Sequence, residues 1–253
     1  MLTNNKIKLI KSLDQKKARK ETGLFLVEGE KMVKELLQSR FETEEVFALE
    51  PYIADLDYRG NAEITIVSQK DLERISMLKT PNKAVAIARI PQPDTNLKTN
   101  KGLSIALENV QDPGNMGTII RTAAWFGIKN IFCTPDTVDI YNPKVIQSTM
   151  GAIFKVNVHY CDLQSMAKQA VENGITLYGT RLNGENIYNA ELKKDAVIFM
   201  GNESKGMSEQ LSKIMTRNIK IPSYADSQNE MESLNVSIAT AIVCAEFRRQ
   251  NPK

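Results

Sequence analysis

The chain has 253 residues, 42 % of them hydrophobic, with 33 Lys and Arg against 30 Asp and Glu. That composition supports a packed core in one large domain or two modest ones and excludes a disordered chain. No apolar run approaches the ~18 residues of a membrane span, and no apolar stretch follows the basic N-terminus as a secretory signal requires.

The first twenty residues carry Lys6, Lys8, Lys11, Lys16, Lys17, Arg19 and Lys20 against only Asp14. Such a segment either neutralises phosphates or is a solvated, frayed terminus. A mitochondrial transit peptide is disfavoured, because these bases are mostly Lys and Leu24-Phe25-Leu26-Val27 already reads as folded strand. Residues 30–39 follow as a helix, with Met32, Val33, Leu36 and Leu37 on one face. Residues 46–49, 64–67 and 85–90 read as further strands and 69–77 as a helix. Together they make a small α/β domain over residues 1–90.

Pro91-Gln92-Pro93-Asp94-Thr95-Asn96 and the polar residues after it read as a linker over 91–101. Beyond it, residues 102–253 form a second domain. Strands are expected at 103–108, 130–133, 156–160, 175–178, 196–200 and 218–221, with helices between them. The last helix runs from Leu234 to about residue 249. Continuous apolar strands alternating with helices imply a mostly parallel sheet covered on both faces. Ligands of such sheets bind beyond the carboxyl ends of the strands.

Cys133, Cys161 and Cys244 form no C-x-x-C pair, so zinc and redox motifs are absent and a reducing cytoplasm fits. The single histidine, His159, lies in the alternation Val156-Asn157-Val158-His159-Tyr160 and reads as a strand residue. One histidine leaves most metal sites and His-based nucleophile systems without their parts.

Three strand ends carry unusual residues. After strand 103–108 comes Asn109-Val110-Gln111-Asp112-Pro113-Gly114-Asn115-Met116-Gly117, running on to Arg121-Thr122-Ala123. Asp112 suits an N-cap and Pro113 the first helical position. Gly114, Gly117 and Arg121 recur at i, i+3 and i+7, so they share a helix face. Either Arg121 reaches over a cleared surface that accepts a phosphate or polar substrate, or the glycines permit close helix packing and Arg121 pairs with a carboxylate.

After strand 196–200 comes Gly201-Asn202-Glu203-Ser204-Lys205-Gly206. It superficially resembles a phosphate loop, but Met207 stands where a Lys-Ser/Thr pair is required. No G-x-G-x-x-G sequence exists either, so the dinucleotide fingerprint is missing. After strand 218–221, Pro222 ends the strand and Ser233-Leu234-Asn235-Val236-Ser237 opens the last helix. Ser233 is the expected cap there, leaving free backbone N–H groups at the site.

Taken in order, these segments resemble the SpoU (TrmH-like) branch of the SPOUT class of RNA methyltransferases. The pattern is Asn109, Asp112-Pro113, Asn115, Gly117 and Arg121-Thr122-Ala123. It continues with Gly201-Asn202-Glu203 and Gly206, then Ile221-Pro222 and Ser233-Leu234-Asn235-Val236-Ser237. The likeness spans about residues 103–249. Phe25-Leu26-Val27-Glu28-Gly29 and Thr80-Pro81 are similar to the substrate-binding domain often fused to this family. Residues 223–232, acidic at Asp226, Glu230 and Glu232, are longer than the family's usual segment there.

The resemblance implies a parallel α/β sheet whose C-terminal part threads into a deep trefoil knot, a feature that periodicity does not reveal. It implies S-adenosylmethionine (AdoMet) as methyl donor without a metal, held by Thr180, Gly201, Ile221 and Leu234. It implies transfer to a ribose 2′-hydroxyl of structured RNA, rRNA more than tRNA, by a homodimer that uses neither DNA nor a membrane. Arg121, Asn115, Glu203, Ser233 and Asn235 are the implied catalytic residues. The family's arginine is described as a general base, but guanidinium groups stay protonated in proteins. Phosphate binding and stabilisation of developing alkoxide charge suit Arg121 better. Two other readings stand beside this one: a non-catalytic RNA-binding protein on the same scaffold, and a dinucleotide-dependent oxidoreductase, which the absent glycine fingerprint disfavours.

Overall fold

The structure is a computed structural model and describes residues 2–56, 58, 60–92, 101–225 and 233–252. The expected linker falls largely, and the acidic residues Asp226, Glu230 and Glu232 fall wholly, outside the described residues. In chain order the first elements are α1 (Asn4–Ser12), α2 (Lys16–Thr22), β1 (Leu24–Glu28), α3 (Glu30–Leu37), β2 (Thr43–Ala48), α4 (Glu50–Ala54), β3 (Glu63–Ile66), α5 (Gln69–Ile75) and β4 (Ala84–Arg89). Then come β5 (Leu103–Leu107), α6 (Pro113–Trp125), β6 (Asn130–Cys133), α7 (Pro143–Thr149), β7 (Asn157–Tyr160) and α8 (Leu163–Glu172). The chain ends with β8 (Thr176–Asn186), β9 (Ala196–Met200), α9 (Glu209–Ser212), β10 (Arg217–Lys220) and α10 (Val236–Gln250).

Two compact units result. One comprises residues 1–92 together with 139–155, and the other 93–138 together with 156–253. The sequence groups 139–155 with the second half of the chain, but these residues pack with the first. Aromatic contacts account for it. Tyr141 lies 4.8 Å from Phe25, Phe41 lies 5.9 Å from Phe25, and Phe154 lies 5.4 Å from Phe41, between ring centroids. Lys155 also pairs with Glu35 at 2.9 Å.

The first unit is a four-stranded sheet in the order β1-β4-β2-β3, antiparallel except for the β2–β3 pair. The basic N-terminus is not frayed. Thr3 caps α1, and Ile10 and Leu13 are fully buried in the core beside Leu26 and Phe47. Several of its cations are structural. Arg19, only 2 % exposed, donates to the carbonyls of Leu13 and Asp14 and to Asp139 at 2.6 Å. Lys6 pairs with Glu45, and Lys11 donates to the Ser76 carbonyl. Lys8, Lys16 and Lys20 make no ion pair within the described residues.

The second unit is a six-stranded parallel sheet in the order β10-β8-β9-β5-β6-β7. Its central strands β9 and β5 are buried at every position, as a doubly covered parallel sheet requires. From β5 the chain winds through β6 and β7 on one side, then returns to β8 and β9 on the other. The strand order therefore reverses between β5 and β9, where a crevice opens beyond the carboxyl ends. His159 is a strand residue of β7, its ring stacked on Phe132.

One strand differs from expectation. Residues 175–178 were the whole expected strand, yet β8 continues to Asn186. The polar, glycine-containing stretch after Tyr178 reads as a loop, but Gly184 lies so close to the Ile219 backbone that a Cβ would come within 2.5 Å. That approach lets the β8–β10 ladder resume.

Glu28 gives the first unit a pH dependence. Burial pushes its carboxyl above the ordinary glutamate range, although Ser76 and the Met77 amide donate to it and Lys11 lies near. The folded unit thus keeps a proton that the unfolded chain releases, and stability falls as pH rises from the ordinary glutamate value through the folded one. Glu28→Gln is expected to gain melting temperature relative to wild type across that rise, measured by calorimetry from pH 4 to 7. A difference that stays flat with pH would contradict it.

Candidate functional site

The loops after β5 and β9 meet at the reversal of strand order, and side chains lock them together. Asn109, the first loop residue with left-handed backbone (φ 54°), is held by its N–H to Thr134 Oγ1 at 2.9 Å. Its carbonyl accepts from Asn202 Nδ2 at 2.8 Å. Asn202 Oδ1 in turn accepts from the backbone of Ser204 and Lys205, and Glu108 accepts from the Ser208 N–H at 2.7 Å. The 201–206 turn closes on itself through paired backbone bonds between Asn202 and Gly206. Gly201 is required there, since a Cβ would sit 2.3 Å from the Gly206 carbonyl carbon.

The two helices that face this crevice begin as follows. Asp112 caps α6 by accepting from the Asn115 N–H at 2.7 Å, with Pro113 in the first turn, as the sequence indicates. The cap of α10 is Asn235, not Ser233: Asn235 Oδ1 accepts from the backbone of Ser237 and Ile238. An amide oxygen at this position caps as well as a hydroxyl does, and its amide nitrogen is left over for another partner.

That nitrogen joins the three strand-end segments. Asn235 Nδ2 donates to Asn115 Oδ1 at 2.9 Å, and Asn115 Nδ2 donates to Glu203 Oε1 at 3.0 Å. Asn115, Glu203 and Asn235, singled out separately in the sequence, thus form one hydrogen-bonded chain.

Beside it lies a cavity of about 870 Å³, in the upper part of the range of about 300–1,000 Å³ for small-ligand sites. Thr180, Gly201, Glu203, Ile221, Ser233 and Leu234 all line it. Its walls are largely apolar, with Met200, Val236 and Val243 among them. The Thr180 hydroxyl is engaged with the Phe199 carbonyl at 2.9 Å. The backbone groups of Gly201, Ile221 and Leu234 find no hydrogen-bond partner among the described residues. Apolar walls with unpaired strand-end amides and carbonyls suit a flat heteroaromatic nucleoside such as the adenosine of AdoMet.

Arg121 stands apart from this cluster. It lies about 9 Å further along the axis of α6 than Asn115, is exposed, and makes no ion pair or hydrogen bond among the described residues. Among the described residues, no carboxylate makes the pairing weighed above. The surface before it is only partly open, because Gly117 is buried while Gly114 is exposed. Burial disfavours the thiolate at all three cysteines, raising Cys133 far above its usual range, Cys161 to about 11 and Cys244 to about 12.

Sequence reasoning missed Asn202 as the clamp between the loops, although its place between Gly201 and Glu203 was a signal. It also missed Arg181, Leu182, Lys205 and Lys220 on the cavity wall. Nothing in the local sequence marks Arg181, Leu182 and Lys220, whereas Lys205 lies within the 201–206 segment singled out above.

A profile of the SpoU rRNA Methylase family matches residues 102–245, and one of the MRM3-like substrate binding domain matches residues 4–86. The chain is 30 % identical over 246 residues to the 23S rRNA (guanosine(2553)-2′-O)-methyltransferase RlmP of Bacillus subtilis, across 97 % of this chain and 96 % of that protein. A solved structure from Porphyromonas gingivalis, assigned to the TrmH family of RNA methyltransferases, superposes with a TM-score of 0.91 at 34 % identity. It covers 99 % of this chain and 100 % of its own. The AdoMet-bound rRNA methyltransferase of Sinorhizobium meliloti gives a TM-score of 0.87 at 29 % identity, over 100 % of this chain and 97 % of that one. With a family match over more than half its length and a relative aligned from end to end, the chain belongs to the SpoU rRNA methylase family.

Proposed function

We propose that the protein transfers a methyl group from AdoMet to a ribose 2′-hydroxyl of structured RNA, and that the RNA is ribosomal. The carrying observation is the Asn235–Asn115–Glu203 chain at the rim of an apolar cavity. Support for rRNA comes from the 23S rRNA relative and the matched substrate-binding domain. The trefoil knot belongs to this reading through family membership. A reducing cytoplasm suits the three free thiols.

When bound, AdoMet supplies a methyl group activated on sulfonium, so no metal is required for the transfer. The chain supplies alignment and charge. Gly201, Ile221 and Leu234 offer backbone groups to the cofactor, with Thr180 behind them. The Glu203 carboxylate, held by Asn115, orients the 2′-hydroxyl together with Ser233. Arg121 binds the phosphate beside the ribose and stabilises negative charge developing on the oxygen. The proton departs to phosphate or water. Residues 1–92 dock the RNA, with Lys8, Lys16 and Lys20, which make no ion pair among the described residues, as phosphate contacts.

We also infer a homodimer. Trp125, at the end of α6, is 86 % exposed, and Ile238 at the start of α10 is 54 % exposed. These two helices pack on each other. The two helices run parallel, so Trp125 and Ile238 mark opposite ends of the pair, and large apolar side chains left exposed at both ends suit an association surface along it. Trp125→Glu is expected to yield monomers by sedimentation velocity. A wild type that sediments as a monomer would refute the dimer.

The transfer is tested with labelled AdoMet and unmodified rRNA and tRNA pools, followed by nucleoside mass analysis. The expected product is a 2′-O-methylated nucleoside from rRNA, reduced roughly 100-fold or more in single-turnover rate by Arg121→Ala. AdoMet binding without transfer to any RNA would favour the non-catalytic reading.

The hydrogen-bond chain has its own test. Asn235→Asp keeps the α10 cap but removes the donor to Asn115, whereas Asn235→Ala also costs about 1 kcal/mol of cap stability. Asn235→Asp is expected to melt near wild type yet lose at least about tenfold in rate. Full activity would remove the chain from the mechanism.

A further inference from the structure

The β8–β10 ladder contains an irregularity that the reading so far does not use. Asn218 pairs with Gly179, but the next residue, Ile219, pairs with Glu185. Residues 180–184 therefore stand out of the ladder as an arch. Both feet are glycines without room for a side chain. A Cβ on Gly179 would meet Asn218 Oδ1 at 2.8 Å and Met215 Cγ at 2.9 Å, and one on Gly184 would meet the Ile219 backbone at 2.5 Å. The arch is thus held by close contact at each end, against side chains at Gly179 and against backbone at Gly184.

Its crest carries Arg181, Leu182 and Asn183, all exposed and all lining the cavity. Leu182 is 76 % exposed, an unusual place for a leucine on a strand. The Arg181 guanidinium has no ion pair or hydrogen bond among the described residues, and neither does the Lys205 ammonium on the 201–206 turn of the same cavity. Among the described lining residues, the one carboxylate is Glu203, and it is engaged by Asn115. Among the described residues the cavity mouth thus carries cations with an apolar projection beside them. A nucleoside cofactor seated against the strand-end backbone would leave these groups facing outward.

We propose that the arch is the RNA-side wall of the site: Arg181, with Lys205, binds a backbone phosphate next to the target ribose, and Leu182 packs against the base of that nucleotide. The chemistry matches the occupant. A polyanion meets two cations that have no partner among the described residues, and a base turned out of its stack needs an apolar face to rest on. The arch then contributes to substrate choice, because its clamped feet hold Leu182 at a fixed place relative to Glu203. This inference rests on the methyltransferase reading above.

The experiment uses the full-length protein and unmodified large-subunit rRNA fragments transcribed in vitro. Arg181→Gln, Leu182→Ser and the Arg181→Gln/Lys205→Gln pair are compared with wild type for AdoMet affinity, RNA affinity against salt, and steady-state kinetics. Arg181→Gln is expected to raise the RNA KM about 5–10-fold and reduce the slope of log affinity against log salt by about 0.7–0.9 for one lost phosphate contact. The double variant should reduce the slope further. Leu182→Ser should lower kcat/KM about fivefold or more, and AdoMet affinity should stay within about twofold in every variant. Weakened AdoMet binding with an intact RNA salt slope would overturn the proposal and make the arch a cofactor wall. Unchanged RNA kinetics in active, folded variants would overturn it alone. A wild type that binds AdoMet but methylates no RNA would overturn the function reading and this proposal together.

Discussion

The side-chain amide of Asn115 has a direction, and that direction is imposed from a helix end. The N–H groups of Ser237 and Ile238 at the start of α10 need an acceptor, so the oxygen of Asn235 must face them. Its nitrogen is thereby turned toward Asn115, which must present oxygen to Asn235 and nitrogen to Glu203. Polarity set by two backbone amides is passed through two side chains to a carboxylate. At the other end Glu203 Oε1 accepts, so the same orientation of Asn115 is demanded there. A network satisfied from both ends holds its atoms in one arrangement, which is what alignment for group transfer needs. The three loops come from distant parts of the chain, and the reversal of strand order between β5 and β9 brings them to one crevice.

Much of this was legible in the sequence because its cause is local. Asp112-Pro113 announces the start of α6 by capping chemistry, and the apolar runs of β5 and β9 announce buried central strands. The positions of Asn115, Glu203 and Asn235 were legible as a family pattern, but their hydrogen bonds were not, since those depend on three loops arriving at one place. The mistaken cap shows the limit. Ser233 and Asn235 are both good caps by composition, and only the path of the chain into α10 decides between them. The aromatic cluster of Phe25, Phe41, Tyr141 and Phe154 was equally hidden, because it pairs residues more than a hundred positions apart. The same holds for Arg19. Its sequence context suggests a surface cation, whereas Asp139 and two carbonyls draw it inside. Breaking such a pair leaves a buried charge and typically costs about 3–5 kcal/mol.

The distribution of paired and unpaired charge separates scaffold from site. Arg19, Lys6, Arg89, Lys155 and Arg249 all have carboxylate partners. Arg121, Arg181 and Lys205 have none among the described residues, although carboxylates are nearly as numerous as bases in the chain. A cation held by an internal carboxylate offers little to a phosphate, because the incoming anion must displace that partner. An unpaired one keeps its full field for the ligand. The cost is freedom: an exposed, unpartnered guanidinium samples many rotamers and must be ordered on binding. The Asn235–Asn115–Glu203 chain carries the opposite balance, with fixed position and a carboxylate that offers a polyanion no attraction. In the proposed mechanism, rigid groups at the reacting oxygen and exposed cations around it would divide the work between alignment and capture. It also explains why the glycines at the feet of the arch matter. They fix the backbone from which Arg181 reaches, so that only the side chain itself remains to be ordered when RNA arrives.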